Sequence, residues 1–302
     1  MIELLRRKIV GKGSGPHLLI TGGVHGDEFE PMAALRRLSQ DLDPGQLAGR
    51  VTLVPVVNEP AFRLGQRAAE DNLDLARTCP GRPDGTITEQ VAHALSALIR
   101  SADFYIDLHT GGIRLRVLPM TGYTLHPDPA VLERQRQMAR AFNLPIVWGT
   151  NPWLEGRSLS VARDAKVPAI YAEYLGGCPP SADGVEAYVT GCLNVMARLG
   201  MIERPMPPSR IVHVVEDARP ESGHMQVRNL SPADGFFEPA VALGDHVRPG
   251  DALGRVLDPL GTNPVEVRSR HNGLVLVLRA LPSVRQGDSL AVILETLNEM
   301  LT

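Results

Sequence analysis

The chain has 302 residues, with 43% hydrophobic, 22% charged and 4% aromatic side chains and a formal net charge of -3. This length is enough for one large core or two or three smaller ones. The near balance of charges and the scarcity of aromatic side chains argue against a nucleic-acid-binding protein. The N-terminal residues carry charges where a signal peptide needs an apolar stretch, and no apolar run reaches the roughly 18 residues of a membrane span.

The cysteine content indicates a reducing compartment. Cys79, Cys178 and Cys192 are odd in number and widely spaced, so they favour neither a disulfide framework nor a four-cysteine zinc site. We therefore expect a cytoplasmic protein with neither nucleic acid nor a membrane as its partner.

The apolar pattern of the first 200 residues predicts strands that alternate with helices. Strands are predicted at 17–23, 51–57, 104–109 and 169–174. Helices are predicted at 30–42, 87–102, 130–142 and 185–200, with Thr88 as N-cap of the second and Gly200 ending the last. This alternation predicts an α/β domain with a largely parallel sheet and helices on both faces. In such sheets, ligands bind beyond the carboxyl ends of the strands.

The pattern changes after residue 200. Residues 203–210 carry three prolines and are typical of a linker. The following apolar runs are short, β-like and separated by glycines, which predicts a small all-β domain of barrel or sandwich type. We therefore divide the chain into an α/β domain at 1–205 and a β-rich domain at 206–302.

The segment HGDE places His25 and Glu28 just beyond the first predicted strand. On a loop or first helical turn, this spacing lets an imidazole nitrogen and a carboxylate oxygen reach one zinc ion. The spacing alone is a weak signal, because His213 and Glu216 repeat it. Those two lie in a predicted strand, where residues three apart face opposite sides and cannot bind one ion together.

A third ligand comes from DLHTGG, in which His109 ends another predicted strand. Two histidines and a glutamate form the ligand set of many catalytic zinc sites, although the same set binds other divalent ions. Asp107 shares the strand face of His109 and is expected to accept a hydrogen bond from its imidazole or to hold the loop.

A zinc hydrolase also needs a general base and groups that bind the substrate. Glu173 lies near the end of the predicted strand in AIYAEYLGG, and we expect it to take a proton from water and return it to the leaving nitrogen. Arg63, Arg67 and Arg77 lie in an irregular stretch after the second strand. Arginine binds carboxylates in a bidentate manner, so these three are candidate substrate ligands.

The ordered set of motifs resembles the succinylglutamate desuccinylase/aspartoacylase family. The matching pieces, between residues 17 and 177, are GGVHGDE, NEPAFRLGQR, LARTCPG, DLHTGG and AEYLGG. The resemblance implies a carboxypeptidase-like α/β fold, with a mixed, largely parallel sheet flanked by helices and a C-terminal β domain. It implies one zinc ion per chain on His25, Glu28 and His109. It also implies Glu173 as general acid/base, with Arg67 and Arg77 binding the substrate or the oxyanion.

The chain departs from this family at two positions. Ala76 stands where the family usually has an asparagine that helps to hold the substrate carboxylate, and Cys79 stands where phenylalanine is common. The Ala76 departure suggests a changed substrate. Arg157 or Arg163 could supply a replacement cation.

The C-terminal segments resemble the two halves of a biotinyl/lipoyl-type β-sandwich. A carrier domain of that type presents a lysine for modification, but no lysine follows residue 166. A carrier role is therefore excluded, and we expect a structural role or a lid near the active site.

Three functions stay open. The leading one is a zinc-dependent amidohydrolase that deacylates an N-acyl amino acid or similar small N-acyl amine bearing a carboxylate. A metallocarboxypeptidase acting on a small peptide would share the chemistry and differ in pocket shape. A zinc-binding protein with a decayed site is supported only by Ala76. A homo-oligomer is compatible with each of the three.

Overall fold

The computed structural model describes residues 2–225 and 228–295, so residues 226–227 and 296–302 of the predicted β-rich domain lie outside the described part. Up to residue 205 the strands are β1 Arg7–Val10, β2 Gly13–Thr21, β3 Ala48–Val54, β4 Phe104–His109, β5 Leu115–Thr124, β6 Ile146–Thr150 and β7 Ala169–Leu175. The helices are α1 Phe29–Asp41, α2 Glu59–Leu64, α3 Ile87–Arg100, α4 Pro129–Phe142, α5 Ser158–Asp164 and α6 Ala182–Arg198. None of the helices in the described residues is long and apolar enough to cross a membrane.

Shorter strands follow residue 205. They are β8 His213–Glu216, β9 Gly235–Pro239, β10 His246–Val247, β11 Ala252–Leu257, β12 Val265–Arg268, β13 Gly273–Arg279, β14 Ser283–Val284 and β15 Ala291–Leu294. Four of them, β12, β11, β9 and β14, form a small sheet in that order. The others join the large sheet.

The large sheet has the order β1-β3-β2-β4-β7-β5-β13-β10. Strands β3, β2, β4 and β7 run parallel to one another, whereas β1 runs antiparallel to β3 and β5 runs antiparallel to β7. The sheet is therefore mixed with a parallel centre, as predicted. Because β2, β4 and β7 are parallel, their carboxyl ends lie at one edge of the sheet. The predicted ligands and base lie at this edge: His25 and Glu28 follow β2, His109 is the last residue of β4, and Glu173 lies near the end of β7.

Helices cover both faces of the sheet because neighbouring residues of a strand face opposite sides. Leu18 and Ile20 of β2 pack with α1, α4 and α6, and Leu19 packs with α3 and α5 on the other face. The strand residues between these layers are fully buried. This explains why β2 has a continuous apolar sequence rather than an alternating one.

The C-terminal strands are hydrogen-bonded into the large sheet. Strand β8 pairs with β6, and β13 pairs with both β5 and β15. The small sheet packs against β13 and β15 through a separate apolar core that includes Phe237, Leu253 and Val275. The division of the chain into two domains at residue 205 stays a prediction. Strands from the two sides of this boundary pair with each other.

Two local predictions can be compared with the structure directly. The N-cap of α3 is Thr86, which forms a capping box with Glu89, so the prediction of Thr88 is wrong. The Thr88 hydroxyl instead donates to Asp71 over 2.7 Å. The second HxxE pair does lie in a strand, β8, and there Glu216 accepts hydrogen bonds from other side chains.

Candidate functional site

Three side chains of metal-ligand type meet at the carboxyl edge of the sheet. His25 and Glu28 lie in the loop between β2 and α1, and His109 is the last residue of β4. His25 Nδ1 lies 2.6 Å from Glu28 Oε1, and His109 Nδ1 lies 3.0 Å from Glu28 Oε2. One ligand atom from each of the three residues lies within 4.8 Å of the other two. The group could therefore hold one metal ion.

A carboxylate lies against the second nitrogen of each imidazole. Asp107 Oδ2 is 3.1 Å from His109 Nε2, and Asp74 Oδ1 is 3.1 Å from His25 Nε2. Such partners fix the orientation of a metal-binding histidine. The sequence predicted the contact between Asp107 and His109 but assigned no role to Asp74. The one feature of the sequence that could have drawn attention to Asp74 was its position before the short 3-10 turn Leu75–Arg77, which it caps.

The loop that carries His25 and Glu28 is tied to the turn after His109. Asp27 Oδ2 accepts a hydrogen bond of 3.1 Å from the backbone N–H of Ile113. Gly112 has a φ of +57°, and a Cβ there would lie 2.5 Å from the same Asp27 oxygen. The turn therefore requires glycine at this position.

Strand β7 places Glu173 beside His109, since the two are register partners of β7 and β4. Glu173 is 5% exposed, and its Oε2 atom has no hydrogen-bond partner among the described residues. Burial raises the pKa of Glu173 well above its ordinary value, with His109 opposing and Glu28 adding to the rise. A buried carboxylate with a free oxygen is typical of a reactive site.

Three arginines share a central cavity with these residues, and its wall includes His25, Glu28, Asp107, His109 and Glu173. Arg67 donates to Asp74 over 3.0 and 3.3 Å. Both terminal nitrogens of Arg157 donate to the carbonyl oxygen of Gly223 over 3.2 Å. Burial and the nearby Arg77 lower the pKa of Arg157 to about 10, which leaves its guanidinium charged at neutral pH.

The structure brings only some of the predicted cations together. Arg67, Arg77 and Arg157 line the central cavity, and Ala76 lines it as well. Arg63 lies outside it, with a side chain 75% exposed and paired to Glu59 at 2.6 Å.

Arg163, the other proposed replacement cation, also lies outside the central cavity. Its guanidinium is buried and held by the carbonyl of Pro152 and by the carboxylates of Glu155 and Asp164. The sequence does not show which of the two arginines reaches the cavity, because Arg157 and Arg163 are six residues apart at the two ends of the same short helix, α5. The three-dimensional structure shows that it is Arg157.

The central cavity also contains residues that the sequence did not suggest. Tyr171 lines it from β7, two residues before Glu173 and on the same strand face. Gly223 and Met225 line it from the C-terminal third of the chain. These two lie between β8 and β9, in a segment without helix or strand pattern, so the sequence carried no signal for them.

Comparison with known proteins agrees with the family resemblance of the sequence motifs. A family model described as the succinylglutamate desuccinylase/aspartoacylase catalytic domain matches residues 14–199. An N-alpha-acetyl-L-2,4-diaminobutyric acid deacetylase from Halomonas elongata is 32% identical over 97% of this chain and 86% of that protein.

Two solved structures resemble the whole chain. The product-bound ectoine utilization protein EutE from Ruegeria pomeroyi has a TM-score of 0.87 at 32% identity, covering 96% of this chain and 88% of that one. A succinylglutamate desuccinylase/aspartoacylase from Rhodobacter sphaeroides has a TM-score of 0.86 at 31% identity, covering 99% and 90%. Both therefore include the C-terminal strands as well as the large sheet.

Proposed function

Because this chain belongs to the succinylglutamate desuccinylase/aspartoacylase family, we propose that it is a zinc-dependent deacylase. Its substrate is an N-acyl amino acid or a related small N-acyl amine, whose linear amide bond it hydrolyses. The observation that carries this proposal is the meeting of His25, Glu28 and His109 beside the buried carboxylate of Glu173.

The donor set fits a zinc ion. Two imidazole nitrogens and one carboxylate are a known catalytic zinc set, and it leaves a position open for reactants. The Nδ1 atoms of His25 and His109 both lie within 3.0 Å of Glu28, while a carboxylate holds each Nε2 atom. Zinc in such a site polarises the scissile carbonyl and lowers the pKa of water.

Glu173 is the proposed proton carrier. Its unpartnered Oε2 can take a proton from the attacking water and deliver it to the amine nitrogen as the carbon–nitrogen bond breaks. Its raised pKa suits both halves of this task, since a group that must accept and then release a proton works best near the operating pH.

The three arginines are proposed to bind negative charge. Arg67 is 3.8 Å from Glu28 and is the nearest of them to the ligand group, which suits stabilisation of the oxyanion. Arg77 and Arg157 lie farther from it and suit the carboxylate of the substrate. With alanine at position 76, Arg157 supplies the polar group that an asparagine would otherwise provide.

The proposal is tested by measuring metal content and hydrolysis on the same sample. The purified protein should carry close to one zinc ion per chain and release amino acid from N-acetyl amino acids faster than it cleaves dipeptides. Chelation should abolish activity, and added zinc should restore it. Full amidase activity in a metal-stripped sample would contradict the proposal, whereas faster cleavage of dipeptides would favour a carboxypeptidase.

A further inference from the structure

A second chamber adjoins the central cavity, and the two share Arg77 and Arg157 in their walls. The other residues that line this outer chamber are Asn151, Trp153, Leu154, Glu155, Ala218, Pro220 and His224. The volume open to a water molecule is about 430 Å³ in the outer chamber and about 80 Å³ in the central cavity. A substrate with its amide beside Glu173 and its carboxylate on the two arginines would lie in the central cavity. A larger group attached to it would pass Arg77 and Arg157 and enter the outer chamber.

The walls of the outer chamber are joined to each other. The backbone N–H of Asn151 donates to Ser222 Oγ over 2.8 Å, and its side-chain amide donates to the carbonyl of Pro220 over 2.9 Å. Arg157 completes the connection through Gly223. The chamber is thus formed before a ligand arrives, so binding there costs little ordering of the protein.

Trp153 is the large apolar side chain of this chamber. It is 64% exposed, yet its position is fixed, because its ring lies 5.3 Å from the guanidinium of Arg163. That guanidinium is buried and held by three further groups. The backbone N–H of Trp153 also donates to Asn151 Oδ1 over 2.8 Å. An exposed aromatic ring that is rigidly held in a chamber wall is suited to pack against a ligand.

The charged residues that line the outer chamber disfavour a ligand with a charged group in the part of the chamber past Arg77 and Arg157. Among the described lining residues, Glu155 carries the one carboxylate, and Arg163 pairs with it at 2.8 Å. The carboxylate that an ammonium group would meet there is already paired with a cation. Burial, together with Arg157 and Arg77, lowers the pKa of His224 below its ordinary value, so its ring is neutral at pH 7 and offers no cation to an anion.

Resting on the proposed function, we infer that the outer chamber is the subsite for an uncharged, apolar side chain on the amino acid part of the substrate. Trp153 is the surface against which that side chain packs. This preference differs from the one implied by the name of the Halomonas elongata relative, since diaminobutyric acid has a cationic side chain.

Kinetics on four substrates test the subsite. With N-acetylglycine, N-acetylleucine, N-acetylaspartate and Nα-acetyl-2,4-diaminobutyrate, we expect kcat/KM to be highest for N-acetylleucine, at least about tenfold above N-acetylglycine. Trp153→Ala should bring the KM values of these two substrates close together. Leu260→Ala, which removes an apolar side chain that is 86% exposed elsewhere, should keep them apart. Fastest turnover of the charged substrates, or an unchanged KM difference in Trp153→Ala, overturns the inference.

A binding measurement separates this inference from the proposed function. Trp148 is buried and Trp153 exposed, so N-acetylleucine should shift the tryptophan emission to shorter wavelength. Trp153→Phe should abolish the shift. A shift without hydrolysis contradicts the proposed function alone, whereas hydrolysis of N-acetylleucine without a shift contradicts the subsite alone.

Discussion

The two sides of the central cavity are built in different ways. On the proposed metal side, His109 ends one parallel strand, Glu173 lies two residues before the end of another, and Glu28 is 1% exposed in a loop that follows a third. On the arginine side, Arg67 and Arg77 lie in a long loop, and Arg157 is held by a carbonyl from the C-terminal third. The contrast teaches that the sheet fixes the chemistry, while the loops determine which molecule reaches it.

The largest expected effect tests the metal side. His109→Ala removes one of three ligands, so zinc content should fall from one per chain to near zero and turnover by more than about 10,000-fold. Elemental mass spectrometry and an amidase assay measure both. His213→Ala is the matched control, since it alters the other HxxE pair in β8 and should keep both zinc and turnover. If His109→Ala kept its zinc, His109 would not be a metal ligand, and the division of the cavity into a metal side and an arginine side would be wrong.

Glu173→Gln separates proton transfer from metal binding on the same side. We expect zinc content to stay near one per chain while kcat falls about 100- to 10,000-fold, because the amide cannot accept the proton from water. Near-normal kcat in this variant would show that another group is the general base.

Asp74→Ala sharpens the comparison, because Asp74 contacts both sides. Its Oδ1 atom lies 3.1 Å from His25 Nε2, and its Oδ2 atom accepts from Arg67 over 3.0 Å. We expect zinc affinity to fall about 10- to 100-fold, as for other partners of metal-binding histidines. Competition with a chromophoric chelator measures this. An unchanged affinity would mean that Asp74 serves the arginine side alone.

Arg157→Ala should affect only the arginine side. Loss of a charged hydrogen-bond donor to the substrate carboxylate is expected to raise KM about 10- to 100-fold, with zinc content unchanged. Steady-state kinetics on an N-acetyl amino acid give the answer. A drop in kcat with KM unchanged would instead move Arg157 to the chemical step.

Arg63→Ala should have the smallest effect. Its exposed ion pair with Glu59 contributes less than about 1 kcal/mol, and it lies outside the central cavity. We expect KM within about twofold of the wild-type value, and unfolding by heat within a few degrees. A KM change as large as that of Arg157→Ala would show that Arg63, in the last turn of α2, reaches the substrate.

The meeting of His25, Glu28, His109 and Glu173 could be predicted from the sequence, because each lies at or just beyond the end of an apolar strand. HGDE, DLHTGG and AEYLGG each stand at such a strand end, and parallel strands bring their carboxyl ends to one edge. The arginine side could be predicted only in part: Arg67 and Arg77 were named, but the choice of Arg157 over Arg163 was not possible, since the contact that holds Arg157 joins residues 66 apart in sequence. No local pattern encodes such a contact.

Strand β5 shows the same limit within the fold. It occupies a central position in the sheet, yet Pro119 lies in its middle, and proline argues against a central strand. The pairing with β7 shifts register between Val117 and Met120, so Pro119 lies where the ladder is already interrupted. A sequence does not reveal this interruption before the partner strand is known.

The pairing of β13 with β5 has a consequence for how this chain could be shortened or recombined. Residues 115–117 of β5 form hydrogen bonds with β13, and β8 covers the outer side of β6. Removing the C-terminal third would leave two bare strand edges, which recruit other chains and promote aggregation. The last third is therefore not an independent unit that can be exchanged freely. Any segment that replaced it would need strands that pair with the same edges of β5 and β6.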